Sequence, residues 1–155
     1  MVVSNGPVKV AGEPTMTSDQ RLKILNGADG FNTRCGIVLT SWDDGFGALR
    51  VDLTAHHVNP MGLVHGGLCT SMLDVALAMT GSYRPAPAQL IPGLTLSLTT
   101  QFLASATLDD QYLVAEARRT GGGESVFFAD GAVRTLSGRI IAKGNGVFKP
   151  SRLPK

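Results

Sequence analysis

The stretch NPMGLVHGGLCTSMLDVALAMTGS, residues 59–82, decides how the rest of the chain is interpreted. Its first residues favour turns, and residues 61–82 contain no proline. From His65 to Ser82 one set of apolar residues recurs at helical spacing: Leu68, Met72, Val75 and Met79. A second set makes the other faces of the helix apolar as well: Cys69, Leu73, Ala76 and Leu77. A helix that is apolar nearly all round is usually buried, so this stretch predicts one long central helix.

The segments on both sides of this helix have the composition of strands. Residues 35–42 and 46–53 are rich in β-forming residues and are separated by Asp43, Asp44 and Gly45, which predicts a hairpin. Residues 83–92 carry three prolines and are expected to form a loop. The strand that follows alternates Leu94, Leu96 and Leu98 with polar residues, and further strands are predicted at 112–120, 125–135 and 140–148.

This element order predicts an α+β fold in which an antiparallel β-sheet wraps around one long helix. A short helix is also expected near Ser18 or Asp19, ending at Gly27. We divide the chain into a flexible leader (1–17), a single domain (18–150) and a tail (151–155). An open sheet has unpaired edges, so self-association is expected.

The composition excludes several functional classes. Hydrophobic residues make up 43% and charged residues 17% of 155, and a net charge of +2 without a basic run argues against nucleic acid as a partner. No apolar run reaches the roughly 18 residues of a membrane span. Cys35 and Cys69 lack metal-ligand spacing, so we expect reduced thiols and no metal. Because the N-terminus also has no basic segment followed by a long apolar region, we expect a cytoplasmic protein.

Asp74 is the one charged side chain between His65 and Tyr83. A carboxylate within an apolar helix is costly unless it is paired or functional. An Asp at a solvated edge of the helix, or one bonded to nearby backbone, is the structural alternative.

The start of the helix carries the second signal. Gly66 and Gly67 are unusual at a helix start unless a group must approach the backbone closely, although a tight turn is the simpler interpretation. The first N–H groups of a helix lack intrahelical acceptors and could hold a developing oxyanion.

Together these residues resemble a known motif. Asn59-x-x-Gly62-x-x-His65-Gly66-Gly67, followed by Leu73-Asp74 on the helix, is similar to hotdog-fold thioesterases of the phenylacetate-degradation type, within the 4-hydroxybenzoyl-CoA thioesterase superfamily. The resemblance implies an acyl-CoA thioesterase, a thioester hydrolase that needs no cofactor, with active sites at the interface of a homodimer. Such dimers often pair into tetramers.

The resemblance also implies roles for individual residues. The Gly66 N–H would bind the thioester oxygen, and Asn59 would support that carbonyl. Asp74, contributed by the partner subunit, would act as general base or as nucleophile, and the hydroxyl of Thr95 would orient the attacking water. His65 could act as a base, but structural support of the loop is the favoured interpretation.

The substrate-binding residues are less well defined. We expect Gly67 and Leu73 to contact the substrate, and Arg118, Gly122 and Gly123 to lie where related enzymes contact the nucleotide of coenzyme A, although Glu124 occupies a position that is often basic in relatives. Each candidate for the acyl pocket could equally fill the core: Leu63, Leu73, Leu77, Tyr83 and Phe102. His56 and His57 are adjacent and are interpreted as loop residues.

Two other functions fit the same fold. One is an enoyl or hydroxyacyl thioester hydratase or dehydratase, which would use a His with an acidic partner in another spacing. The other is a non-catalytic acyl-CoA-binding protein, against which the joint presence of Asn59, Gly66, Asp74 and Thr95 argues. The acyl group, aryl or medium-chain, is left open by the sequence.

Overall fold

The computed structural model describes residues 18–83, 91 and 93–151. The leader predicted at 1–17, most of the predicted proline-rich loop (84–90 and 92) and residues 152–155 of the tail lie outside the described residues.

Three α-helices, two short 3₁₀ turns (Ala55–His57 and Leu108–Asp110) and six strands make up the described chain. The helices are α1 (Ser18–Gly27), α2 (Phe31–Arg34) and α3 (Gly66–Met79). The strands are β1 (Val38–Asp43), β2 (Phe46–Asp52), β3 (Gly93–Phe102), β4 (Tyr112–Gly122), β5 (Phe127–Thr135) and β6 (Ile140–Pro150). Several boundaries differ from the prediction: β1 begins at Val38 and not at residue 35, β5 begins at Phe127 and not at residue 125, and α3 ends at Met79 because residues 80–82 form its C-terminal turn. The one-turn helix α2 before the hairpin was not predicted.

All six strands form one antiparallel sheet in the order β1-β2-β4-β5-β6-β3. β3 follows α3 in the chain but pairs with the last strand, β6, so the helix connects the two halves of the sheet. This arrangement confirms the predicted α+β fold, with the sheet wrapped around one long helix. β1 and β3 are therefore the two edge strands.

The core lies between α3 and the sheet. Met72, Leu73, Ala76 and Leu77 of α3 are fully buried, together with inward-facing residues of the sheet: Leu49, Val51, Leu113, Ala115, Ala129, Val133, Ala142 and Phe148. The close approach of helix and sheet depends on Gly47 in β2, because a Cβ there would lie 2.9 Å from the backbone oxygen of Ala76. At the helix end the Trp42 indole N–H donates to the Met79 carbonyl at 2.9 Å.

The two sheet edges differ. On β1, the side-chain amide of Asn26 in α1 donates to the Leu39 carbonyl at 2.9 Å, and its oxygen accepts from the Leu39 N–H at 2.8 Å. β3 is exposed along most of its length, including Leu94 and Leu96. Within the residues that the structure describes, no helix is long and apolar enough to cross a membrane.

Candidate active site

Asp74 and Thr95 form a hydrogen-bonded pair between α3 and β3. The Thr95 hydroxyl donates to Asp74 Oδ1 at 2.6 Å, a short distance typical of a hydroxyl bonded to a carboxylate. Asp74 is half-buried and Thr95 is exposed, so the pair lies at the boundary between the core and the open edge of the sheet. A carboxylate oriented in this way can accept a proton from water or attack an electrophilic carbon.

An irregularity in β3 gives Thr95 this orientation. The pairing of β3 with β6 shifts between Thr95 and Ser97, so Thr95 lies opposite Phe148 while Leu98 lies opposite Gly146. Residues that face each other across antiparallel strands share one side of the sheet, and Phe148 is buried in the core. Thr95 and Leu98 therefore both face α3, which strict alternation would not allow.

The N-terminus of α3 presents one free donor. His65 is the N-cap, and its Nδ1 accepts from the Gly67 N–H at 2.9 Å. The Leu68 N–H donates to the His65 carbonyl at 3.0 Å. The Gly66 N–H has no acceptor among residues 18–83, 91 and 93–151. Two of the first three N–H groups are thus used by His65, and the Gly66 N–H remains free for an incoming oxygen at the positive end of the helix.

Gly66 and Gly67 each lie where a side chain would meet a neighbouring group, and the two neighbours differ. At Gly67 a Cβ would lie 2.9 Å from His65 Nδ1, so glycine leaves room for the capping imidazole. At Gly66 a Cβ would lie 3.1 Å from the ring of Phe102, the last residue of β3. Because Nδ1 accepts a hydrogen bond, the neutral ring carries its proton on Nε2. The imidazole of His65 therefore supports the helix start.

Asn59 organises the loop that leads into α3. Its side-chain oxygen accepts from the N–H groups of Met61 (2.9 Å) and Leu63 (3.2 Å), and its own N–H donates to the Leu63 carbonyl at 2.8 Å. Gly62 takes a φ of 75°, which suits glycine at this turn. The side-chain amide nitrogen of Asn59 donates to no group in the described part of the chain, so it is free to bind a ligand.

The two halves of the candidate site are separated within one chain. Gly66 and Asp74 are eight residues apart on α3, which corresponds to about 12 Å along the helix axis. Between them Thr100 of β3 has a buried hydroxyl with no hydrogen-bond partner within the described segments, and the sequence gives no sign of it. The structure thus brings Asp74 to Thr95, and His65 to Gly66 and Gly67, without bringing the two groups together.

The remaining predicted substrate contacts lie elsewhere. Leu73 is 0% exposed in the core, against Gly144 of β6, and Leu77 is equally buried. The Arg118 guanidinium stacks on Phe46 at 4.8 Å. Gly122 lies in one cross-strand row with Phe127, Phe148 and Thr95, so three strand spacings, about 14 Å, separate it from Thr95. Gly123 follows in the same β4–β5 turn, where Arg119 donates to the Gly123 carbonyl at 3.0 Å.

Other groups that could carry chemistry are occupied or buried. Burial raises the pKa of the Cys69 thiol to about 11, so it stays protonated and is a poor nucleophile at neutral pH. His56 and His57 lie in a short 3₁₀ turn, where His57 Nδ1 accepts from the Thr54 N–H at 3.0 Å. Across the described ranges no group of three or more His, Cys, Asp or Glu is arranged to hold a metal ion.

Comparisons with known proteins agree with this architecture. Solved structures with the same fold include zebrafish thioesterase superfamily member 2 (TM-score 0.74, 19% identity, 88% of this chain and 99% of that one). The Escherichia coli PaaI protein from the phenylacetic acid degradation operon gives a TM-score of 0.72 at 20% identity, over 87% and 94% of the two chains. At these identities the likeness establishes the hotdog fold.

Sequence comparison establishes the family. A candidate esterase of Pseudomonas aeruginosa is 34% identical over 102 residues, 65% of this chain and 71% of that protein. A second one, from Schizosaccharomyces pombe, is 28% identical over 104 residues, 64% of this chain and 60% of its own length. The model of the thioesterase superfamily matches residues 61–142, more than half of the chain. The chain therefore belongs to the thioesterase superfamily and is a thioester hydrolase.

Proposed function

We propose that this protein hydrolyses an aryl or medium-chain acyl-CoA thioester to the free acid and CoA, at a site built by two copies of the chain. The observation that carries the proposal is the Thr95 to Asp74 hydrogen bond of 2.6 Å, which holds a carboxylate at the open edge of the sheet. The free Gly66 N–H supplies the complementary donor for an oxyanion.

The separation of these groups supports a site shared between subunits. An oxyanion lies about 3 Å from its donor, and the attacking atom starts about 3–3.5 Å from the carbonyl carbon. The roughly 12 Å between Gly66 and Asp74 along α3 is longer than these two contacts span together, which favours a site in which a second copy supplies one half.

The open β3 edge offers a way to join two copies. Within one chain β3 runs opposite to α3, because Thr95 contacts Asp74 while Phe102 lies over Gly66. If two β3 edges pair antiparallel near their midpoints, the Thr95 end of one strand lies beside the Phe102 end of the other. Asp74 then approaches Gly66 of the partner subunit, and the twofold symmetry creates two equivalent sites.

In the proposed reaction the thioester carbonyl oxygen accepts from the Gly66 N–H, with Asn59 supporting the same group. Asp74 of the other subunit takes a proton from water while the water oxygen bonds to the carbonyl carbon. Thr95 fixes the carboxylate and orients that water. The tetrahedral intermediate collapses, the carbon–sulfur bond breaks, and the CoA thiolate leaves and takes up a proton. Direct attack by Asp74, followed by hydrolysis of the anhydride, is the alternative order of steps.

No cofactor is required for this chemistry, since a thioester is already electrophilic and CoA is part of the substrate. An extended CoA moiety leads away from Thr95 toward the β4–β5 turn, where Gly122 lies about 14 Å along the sheet and Gly123 follows it in the chain. Arg118 precedes this turn in β4 and lines the outer face of the sheet. Gly67 borders the site through its contact with His65. We assign the distal contacts of CoA to this region.

Two such dimers are proposed to pair into a tetramer through the outer face of the sheet. This face has an open groove of about 530 Å³ that contains charges of both signs: Glu116, Arg118, Asp130 and Lys143. None of these four forms an ion pair with another residue of the described chain. Alternating unpaired charges of this kind are complementary to a second copy of themselves.

A role in phenylacetic acid degradation and a cytoplasmic location complete the proposal. The first rests on the motif and on the fold shared with PaaI, and the second on the two free cysteines, Cys35 and Cys69, which suit a reducing compartment.

Mixing two inactive variants tests the shared site. Asp74→Asn removes the carboxylate but keeps an oxygen that can accept from Thr95. Gly66→Pro removes the N–H at the first helical position, where proline is tolerated, and His65 already has the extended backbone (ψ 131°) that proline requires of its neighbour. Gly66→Ala is the matched control, since it adds a Cβ and keeps the N–H.

Each variant alone is expected to lose 10²-fold or more of its activity, measured as release of free thiol from a panel of aryl and straight-chain acyl-CoA thioesters. Unfolding and refolding the two variants together should restore roughly one quarter of the wild-type sites, since half of the dimers are mixed and each has one intact site. Absence of any recovery while mixed dimers form would place the whole site within one chain. If wild type binds acyl-CoA but releases no thiol, the binder or hydratase function takes the place of this one.

A further inference from the structure

Phe102 is an exposed aromatic residue of β3 whose ring lies beside the N-terminus of α3. It is the last residue of β3 and is 58% exposed, a large fraction for a phenylalanine that faces a helix. Its ring atoms Cε1 and Cζ lie 3.1 Å from the position that a Cβ on Gly66 would occupy. The ring can adopt this position because residue 66 is glycine.

The ring lies beside the Gly66 N–H, at the start of α3. The Cα of Gly66 is bonded directly to the N–H that has no acceptor among the described residues. A thioester carbonyl bound to that N–H would therefore lie close to the Phe102 ring. None of the steps of hydrolysis proposed above uses this side chain.

Backbone hydrogen bonds hold Phe102 in place. Its neighbour Leu103 donates to the Ile141 carbonyl at 2.8 Å, and the Val64 N–H donates to the Ala106 carbonyl at 2.8 Å. The segment after Phe102 is thus tied to the residue that precedes His65. These bonds, together with the pairing of Phe102 with Ala142 of β6, hold the backbone that carries the Phe102 ring.

We propose that Phe102 determines which acyl groups the enzyme accepts, by forming a wall beside the Gly66 N–H that excludes acyl groups branched at the carbon next to the carbonyl. The inference rests on the proposed function, because it takes Gly66 as the oxyanion donor. Flat aryl-acetyl groups and straight chains pass the ring, and a methyl group at the branching carbon collides with it.

The test is the ratio of kcat/KM between matched unbranched and branched thioesters. The pairs are octanoyl-CoA with 2-methyloctanoyl-CoA, and phenylacetyl-CoA with 2-phenylpropionyl-CoA. Wild type should favour the unbranched member by roughly 10- to 200-fold, the usual range for one badly placed carbon in a pocket. Phe102→Ala should bring the ratio to within about threefold by raising kcat/KM for the branched member, and Phe102→Leu should lie between the two.

Leu103→Ala is the control, because Leu103 is similarly exposed (55%) and lies next to Phe102 in the chain; it should keep the wild-type ratio. A ratio taken on one preparation does not depend on how much of the protein is folded, so partial misfolding of Phe102→Ala does not hide the result. An unchanged ratio in both Phe102 variants, or no discrimination by wild type, would overturn the inference alone. Wild type that hydrolyses neither these four thioesters nor any other of the aryl and straight-chain panel would overturn the proposed function and this inference with it.

Discussion

The two edge strands of the sheet differ in whether their outer backbone groups, which have no neighbouring strand, are covered by the rest of the chain. On β1, the Asn26 side chain occupies both the N–H and the carbonyl of Leu39, so this part of the edge is closed from within the chain. On β3, apolar side chains such as Leu96 (56% exposed) remain on the surface next to the Asp74 and Thr95 pair. An edge left open beside the Asp74 carboxylate is what the proposed site shared by two copies requires.

A lysine placed on each edge strand in turn should give the largest difference between the two edges in dimerisation and in kcat/KM. Leu96→Lys adds a charge to the open edge, a common device against strand pairing, and should dissociate the dimer and lower kcat/KM about a hundredfold. Val38→Lys makes the same change on β1, where the side chain is 45% exposed, and should leave both properties near wild type.

Molar mass from light scattering and thiol release measured over a range of protein concentrations check this prediction. Because the loss follows from dissociation, the specific activity of Leu96→Lys should rise as its concentration increases. A fully dimeric Leu96→Lys protein with normal activity would show that β3 is not the dimer edge.

Thr95→Val tests the hydrogen bond from Thr95 to Asp74 separately from the packing of the Thr95 side chain. The variant keeps the shape of the side chain but removes the donor to Asp74, and hydrogen bonds to charged groups contribute about 1.5–3 kcal/mol. We expect kcat to fall about tenfold or more with little change in KM, and Thr95→Ser to recover most of the activity. Thr99→Val, in the same strand, is the matched control. Equal losses in the Thr95 and Thr99 variants would mean that the hydroxyl has no special role.

Asn26→Ala should produce the smallest change in activity, because it acts on the closed edge. The substitution leaves the N–H and carbonyl of the buried Leu39 without their partners and should lower the free energy of unfolding by about 1–3 kcal/mol. Urea denaturation measures the stability, and kcat/KM per folded molecule should stay within about twofold of wild type. A large loss of activity in the folded variant would show that the two edges are coupled.

Much of the fold could be predicted from the sequence because its signals are local. The apolar helix from His65 onward, the turn at Asp43 to Gly45 and the later strands all depend on residue spacing, and the structure confirms them. The end of α3 is less well encoded by spacing, since residues 80–82 do not continue the helix and form its C-terminal turn. The roles of Asn59, Gly66, Asp74 and Thr95 follow from the motif and stay predictions.

The sequence by itself determined which residue types are available: one carboxylate in an apolar helix, two glycines after a histidine, and a threonine at the start of the next strand. Only the tertiary structure decided how they are used. Simple alternation places Thr95 on the opposite side of β3 from Leu98, and the irregularity before Ser97 turns it toward Asp74. Likewise, the order of the strands places β3 at the edge, because its partner β6 lies about forty residues away in the chain and no local pattern encodes that pairing.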